Sequence, residues 1–336
     1  ETMHARLFRQ GPGVDHYVIP QYGHALAQCL KQSGHLGPIQ TTTDYHALLA
    51  NAQVDAVYCA VPHVLHAELY PAILAAGKHL FGEKPFGMDA TQSATIAAAI
   101  KARPDLLVRC SSEMPFYPGA QKVVDFIRKG HVGPVLEVEA AFLHSSDINP
   151  DKPINWKRMQ AVNGDYGCMG DLGMHVLHVP LRLGWRPATV SASLVKRVAT
   201  RPDGKGGTLP CDTWDNATIT ATVPHPQGDF PMVLKTWRIA PGEANTWSIR
   251  VLGMQGSAYF STKTPRQWSF MRYTPGGPQA WATEDLGYMP GFKDSLSNSQ
   301  VADLVAYLRG RFAPNAPTWN GLEQKVAHLR ANPGTH

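Results

Sequence analysis

Three side chains in this sequence are of types that can move a proton and polarise an oxygen: Lys84, Asp171 and His175. An ammonium donates to a developing oxyanion, an imidazole with an ordinary pKa near neutrality takes or returns a proton, and a carboxylate orients either of them. The lysine closes Glu83-Lys84-Pro85, where the proline bars it from the helical region and so restricts its direction. The other two belong to NGDYGCMGDLGMHVLHVPLRLGW, from Asn163 to Trp185. If a helix begins near Gly170, then Asp171, His175, His178 and Arg182 stand at i, i+4, i+7 and i+11 on one stripe. Leu172, Val176, Val179 and Leu183 form the neighbouring apolar stripe. The plain alternatives are a solvated lysine, an aspartate that caps the helix and histidines on its surface. An Asp with two His on one helix face can also ligate zinc, which would make a metal-dependent lyase or hydrolase. That reading ranks last, and no metal is expected.

The elements that must position Lys84 run from Val54 to Pro85. Val54–Val61 is a short apolar run suited to a strand buried on both faces of a parallel sheet, and Pro62 ends it. His63 to Ala76 carries Leu65, Leu69, Ala72, Ile73 and Ala76 at helical spacing, with Gly77 as terminator. Pro71 is expected to kink this helix or restart it. A second strand, His79 to Gly82, completes a right-handed crossover unit and leads straight into Lys84. Ligands of open parallel sheets bind outside the carboxyl ends of the strands, where both Pro62 and Lys84 then lie.

These linked motifs resemble the Gfo/Idh/MocA family of nicotinamide-dependent oxidoreductases, named for glucose-fructose oxidoreductase, inositol dehydrogenase and a rhizopine-catabolism protein. The family pattern is a Thr-Pro strand end, a His four residues on, Ala-Gly-Lys-His, and Glu-Lys-Pro. Here it reads Val61-Pro62, His66, Ala76-Gly77-Lys78-His79 and Glu83-Lys84-Pro85, departing only at Val61. The later stretch resembles the family's glycine-rich approach and Asp-x-Gly-x-His through Asp171 and His175. His178 stands where an Asp is frequent in the family. The resemblance implies NAD or NADP as cofactor, with contacts from Ala60, Val61, Pro62, His66, Glu83 and Lys84. It implies catalysis by Lys84, Asp171 and His175, with hydride passing between nicotinamide and a secondary alcohol of a sugar, inositol or other polyhydroxy compound. Trp156, Arg158 and His178 are the candidate substrate contacts, with Lys157, Trp237, Asn245 and Trp247 as further candidates, each at least as readily read as structural. The rival reading keeps the fold as a non-catalytic binding or regulatory protein.

Length and pattern give the architecture. At 336 residues two domains are favoured, divided at 1–112 and 113–336. The first is a Rossmann-type α/β domain; the second is α+β with a large, mostly antiparallel sheet, because strand-like runs recur there without helices between them. Those runs are 188–198, 217–223, 230–237, 247–252 and 257–262, after a strand at Val135–Phe142. Closing helices are expected over 297–309 and 321–330. The family's opening strand and glycine-rich turn are not found: Glu1 to Gln10 reads as the end of a helix, and Gly11 and Gly13 as a loop. Val14–Pro20 is expected as the next strand and Tyr22–Ser33 as a helix. The residues Gln21, Tyr22 and Gly23 offer neither the carboxylate that favours NAD nor an arginine for NADP. A strand and glycine-rich turn are therefore expected before Glu1 in the natural chain.

Bulk properties exclude some classes. A net charge of +5 is modest and scattered, which leaves no nucleic-acid footprint. No apolar run approaches a membrane span. Five cysteines without CxxC spacing argue against a disulfide scaffold or zinc knuckle, so a reducing cytoplasm is the expectation. By resemblance, a homodimer or homotetramer assembles through the second sheet.

Overall fold

The computed structural model describes residues 4–7, 16–18, 39–42, 44–286, 297–312 and 319–331. It contains two large sheets, each with its own apolar core. The first sheet has six strands in the order β3-β2-β1-β4-β5-β6. They are β1 (His4–Leu7), β2 (His16–Val18), β3 (Ile39–Thr41), β4 (Ala56–Ala60), β5 (His79–Glu83) and β6 (Val108–Ser111). The last three are parallel, and so are β2 and β3. The segment expected as a helix end, Glu1 to Gln10, instead supplies β1, which runs antiparallel to both β2 and β4. The physical reason lies in β4: without a neighbour its amide and carbonyl edge would lie unpaired in mid-sheet, and β1 satisfies that edge over Val57–Ala60. The expected 22–33 helix, Gly11, Gly13 and residues 21–23 fall outside the described residues.

Helices α1 (Tyr45–Ala50), α2 (His66–Ala75) and α3 (Ala90–Ala102) join these strands. Asp44 caps α1 by accepting from His46 N at 2.8 Å, and Asp89 caps α3 by accepting from Gln92 N. A 3-10 turn over His63–Leu65 precedes α2, which continues without interruption through Pro71, so the expected restart does not occur. The buried side chains Leu48, Val57, Leu69, Tyr70, Ile73, Leu80 and Ile96 close this core.

The second sheet has eight strands in the order β16-β15-β14-β13-β7-β12-β11-β8. Its members are β7 (Val135–Leu143), β8 (Thr189–Val195), β11 (Asn216–Val223), β12 (Phe230–Trp237), β13 (Thr246–Gly253), β14 (Gly256–Ser261), β15 (Gln267–Arg272) and β16 (Ala282–Asp285). Only β7 and β12 pair in parallel. A small hairpin of β9 (Thr200–Pro202) and β10 (Thr208–Pro210) stands apart. Helices α4 (Pro118–Arg128) and α6 (Cys168–Arg182) cover one face, and a short α5 (Gln160–Asn163) precedes α6. The core here joins Val123 and Phe126 of α4 and Val176 and Val179 of α6 to Val138, Trp247 and Phe260 of the sheet. Helix α7 (Asn298–Phe312) and helix α8 (Leu322–Ala331) end the described chain.

Candidate functional site

A cavity of about 570 Å³ lies where the carboxyl ends of β5 and β6 face the second sheet and the start of α6. Three walls deliver its side chains. The first is the paired strand ends Glu83 and Ser111, which place Lys84 and Glu113 side by side. The second is the central trio β12-β7-β13, whose register aligns Trp237, Leu143 and Thr246. The residues just beyond these strand ends, Arg238, His144 and Asn245, therefore emerge together and line the cavity. The third wall is the segment 146–157 with Asp171, Leu172 and His175 of α6.

Helix α6 starts at Cys168, three residues before Asp171, behind an N-cap Gly167 whose φ is +53°. A side chain at 167 would meet the backbone nitrogen of Trp214 at 2.6 Å, so glycine lets the helix start press against that strand connection. The start differs from the expected Gly170 by a fraction of a turn, and it leaves Asp171 and His175 on the same face. That face looks into the cavity.

Asp171 is the hub. Lys84 Nζ donates to its carboxylate Oδ1 at 2.5 Å and to its backbone carbonyl at 2.7 Å. Arg238 pairs with Oδ2, and Lys157 Nζ lies 3.5 Å from the same oxygen. His63 Nε2 is 3.8 Å from Oδ1. The carboxylate is 1% exposed. One buried anion thus gathers three cations from three segments of the chain. Burial pushes the Lys84 amine down to about 8, with Glu83 opposing the fall and Arg238 adding to it. Burial, then Arg238 and Lys84, push Lys157 down to about 7. Arg238 falls to about 10, through burial and then the Arg158 charge.

His175 is 6% exposed, with Nδ1 at 3.1 Å from Ser112 Oγ and its backbone carbonyl accepting from Trp247 Nε1 at 3.0 Å. Phe142 packs edge-on against its ring at 5.1 Å. Burial first, and then the Lys84 charge, lower its pKa to about 3. The imidazole is therefore held neutral, and the groups that titrate near neutrality here are the amines.

The remaining sequence candidates divide. Trp156 lines the cavity and meets His63 edge-on at 4.8 Å. Asn245 lines it too, at φ +61°. Arg158, expected at the substrate, is fully buried between Asp147 and Asp215, with a 2.9 Å bond to the latter, and does not reach the cavity. Its neighbour Lys157 does, because the 3-10 turn Trp156–Arg158 points successive side chains in different directions. His178 lies outside the wall, since three residues further along the helix the stripe has left the cavity. His66, expected at the cofactor, is fully buried, with Nδ1 2.5 Å from Pro85 O and Nε2 3.0 Å from Val61 O. It ties the end of β4 to the Lys84-Pro85 corner, whose peptide bond is cis. Ala60, Val61 and Pro62 end β4 beside the cavity without forming its wall, and Val61 is buried. Trp247 is a core residue, and Trp237 donates to Thr218 at 3.1 Å away from the cavity. Among the described residues no group of three His, Cys, Asp or Glu side chains could hold a metal, so the Asp171 stripe does not gather as a zinc site.

Sequence reasoning missed Arg238, His144, Asp147, His63 and Ser112. The nearest signal was position, since Arg238 and His144 directly follow strand runs, but nothing local shows that those strands are neighbours.

The cavity's polar wall suits the nicotinamide end of a dinucleotide. Glu83, Lys84 and the Ser111–Glu113 turn present donors and acceptors around an open space at the strand ends. Residues 21–109 match the model described as "Oxidoreductase family, NAD-binding Rossmann fold", and residues 120–259 match the "GFO/IDH/MocA C-terminal domain". Levoglucosan dehydrogenase of Pseudarthrobacter phenanthrenivorans is 26% identical over 50% of this chain and 42% of its own length. The dTDP-3,4-didehydro-2,6-dideoxy-alpha-D-glucose 3-reductase of Actinomadura kijaniata is 35% identical over 39% of this chain and 37% of its own length. The chain thus spans less than half the length of either of these curated relatives. Among solved structures, levoglucosan dehydrogenase with NADH and L-sorbose matches with a TM-score of 0.72 at 19% identity, over 94% of this chain and 84% of that one. An inositol dehydrogenase homologue from Azotobacter vinelandii with NAD+ gives 0.63 at 21%, over 74% and 62%. Those structural likenesses speak to fold; the family models, which together span most of the chain and both of its cores, place it in the Gfo/Idh/MocA family of oxidoreductases.

Proposed function

We propose that this protein is an NAD(P)-dependent dehydrogenase or reductase acting on a CH–OH group of a sugar, inositol or related polyhydroxy substrate. The observation that carries this reading is that Lys84 from the first sheet and His175 from the second core line one cavity, with Asp171 holding Lys84 at 2.5 Å. The relatives whose names include levoglucosan and inositol dehydrogenases support the substrate class. Bound nicotinamide supplies or accepts the hydride at C4. Glu83, Lys84 and the Ser111–Glu113 turn would hold that ring, while His66 fixes the corner behind them. Lys84, kept charged below about pH 8, donates to the reacting oxygen and stabilises its negative charge. His175, kept neutral, offers an acceptor for the hydroxyl proton, and Ser112 fixes its orientation through Nδ1. Asp171 aims Lys84 and spreads its own charge over the neighbouring cations.

The split of the cores between Val108 and Met114 favours a domain division at residue 112. Four thiols, Cys59, Cys110, Cys168 and Cys211, are unbridged, which favours a reducing cytoplasm. The second sheet leaves Val190, Leu194 and Tyr259 exposed, which favours a homodimer or homotetramer through that surface. Light scattering that returned a monomer mass would remove the assembly reading.

Lys84→Ala tests the chemistry. Turnover is expected to fall about a hundred- to ten-thousandfold while cofactor binding, read by nicotinamide fluorescence, survives. Equal loss of both would mean that Lys84 chiefly holds the cofactor.

A further inference from the structure

The charges around the cavity do not balance at one end. Lys84, Lys152, Lys157, Arg158 and Arg238 are paired with only three carboxylates, Asp147, Asp171 and Asp215. Arg158 is sealed and takes up Asp215 together with part of Asp147. The surplus falls on Lys157, because Lys84 and Arg238 each pair more closely with Asp171. Two more carboxylates, Glu83 and Glu113, stand on the opposite wall, where they bear on Lys84. Glu83 is further engaged by the Tyr58 hydroxyl at 2.5 Å.

Lys157 is the cation with donors to spare. Its side chain is 36% exposed into the cavity, and its 3.5 Å approach to Asp171 Oδ2 is too long for a strong charge-assisted hydrogen bond. It sits over the Trp156 ring at 5.6 Å, which leaves its ammonium directed along the wall. Opposite, His144 Nε2 is a buried ring nitrogen without a protein partner. An amine pressed by two neighbouring cations loses its proton readily, and an incoming anion would restore its charge.

We propose that the substrate is a polyhydroxy acid whose carboxylate is held by Lys157, with the buried Arg238 charge behind it, while its reacting hydroxyl lies at Lys84 and His175. Trp156 supplies an apolar platform for the carbon skeleton, and Asn245 and His144 offer hydrogen bonds to the remaining hydroxyls. This rests on the oxidoreductase reading and narrows it from neutral polyols to anionic ones.

The test uses matched pairs with NAD and NADP: D-glucuronate against D-glucose, D-galacturonate against D-galactose, and D-glucose 6-phosphate as the alternative anion. The acids should show at least a tenfold higher kcat/KM than their neutral partners. In Lys157→Met that ratio should fall to about one, mainly through KM. Calorimetric titration of the same compounds in the presence of NADH separates the two readings. Acid binding that depends on Lys157, without turnover, would uphold the anion site and remove the oxidoreductase. Turnover of neutral sugars at least as fast as of their acids would remove the anion site and keep the oxidoreductase. Preference for the phosphate over both uronates would overturn the carboxylate assignment, and no binding of any acid would overturn the site itself.

Discussion

Two buried ion clusters meet in the chain at the adjacent residues Lys157 and Arg158, and they are mirror images in charge. Around Arg158 one guanidinium is enclosed by two carboxylates, Asp147 and Asp215, and the arginine has no exposed surface. Asp215 is further satisfied by the amides of Arg197 and Val198 at 2.6 and 3.0 Å. Around Asp171 one carboxylate is shared by three cations, and the cluster opens on the cavity. The first cluster has its guanidinium charge matched within the protein and serves the fold, with Asp147 also bordering the cavity. The second has donors left over where a substrate would sit, and a buried surplus of one sign persists only where something else completes it. Adjacent residues Lys157 and Arg158 belong to opposite clusters, so sequence proximity says nothing about role here.

The largest expected effect breaks the sealed cluster. Arg158→Met leaves two buried carboxylates facing each other and should cost about 3–5 kcal/mol of stability. Urea denaturation would measure it, and the KM of the folded fraction should not change. A raised KM without loss of stability would return Arg158 to the substrate. Asp171→Asn acts on the open cluster and should lower kcat about ten- to a hundredfold, near 1.4–2.7 kcal/mol. It also has a pH signature. The Lys84 pKa is already lowered to about 8, so its donor function is present below that pH and lost above it. Removing the anionic neighbour destabilises the ammonium further, and the alkaline limb of the rate profile should move to lower pH. A limb that stays fixed would show that another group controls it. The smallest effect belongs to His178, which lies off the cavity wall: His178→Ala should leave KM unchanged and alter stability by about 1 kcal/mol or less. A clear rise in KM would put His178 back among the substrate contacts.

Much of the fold was legible because its signals are local. The apolar run before Pro62, the cap at Asp89, the glycine after α4 and the alternating runs of the second sheet each depend on near neighbours, and the observed elements fall within a few residues of their expected places. Strand β1 was not legible, because what makes His4–Leu7 extended is the unpaired edge of β4, which lies far along the chain. The Glu83-Lys84-Pro85 corner and the Asp171–His175 spacing were legible for the same local reason, being a strand end and one turn of helix.

By itself, then, the sequence determined which side chains carry reactive groups and on which short elements they ride. It could not determine which of them share a space. Lys84 and Asp171 are 87 residues apart, and their 2.5 Å contact exists because one sheet's strand ends meet the start of a helix packed on the other. Arg238, His144 and Asn245 come together only through the register of β12, β7 and β13. Charge balance was settled at the same level. Coulomb interactions at a few ångströms in a buried environment outweigh local preference, and those distances are fixed by packing between elements.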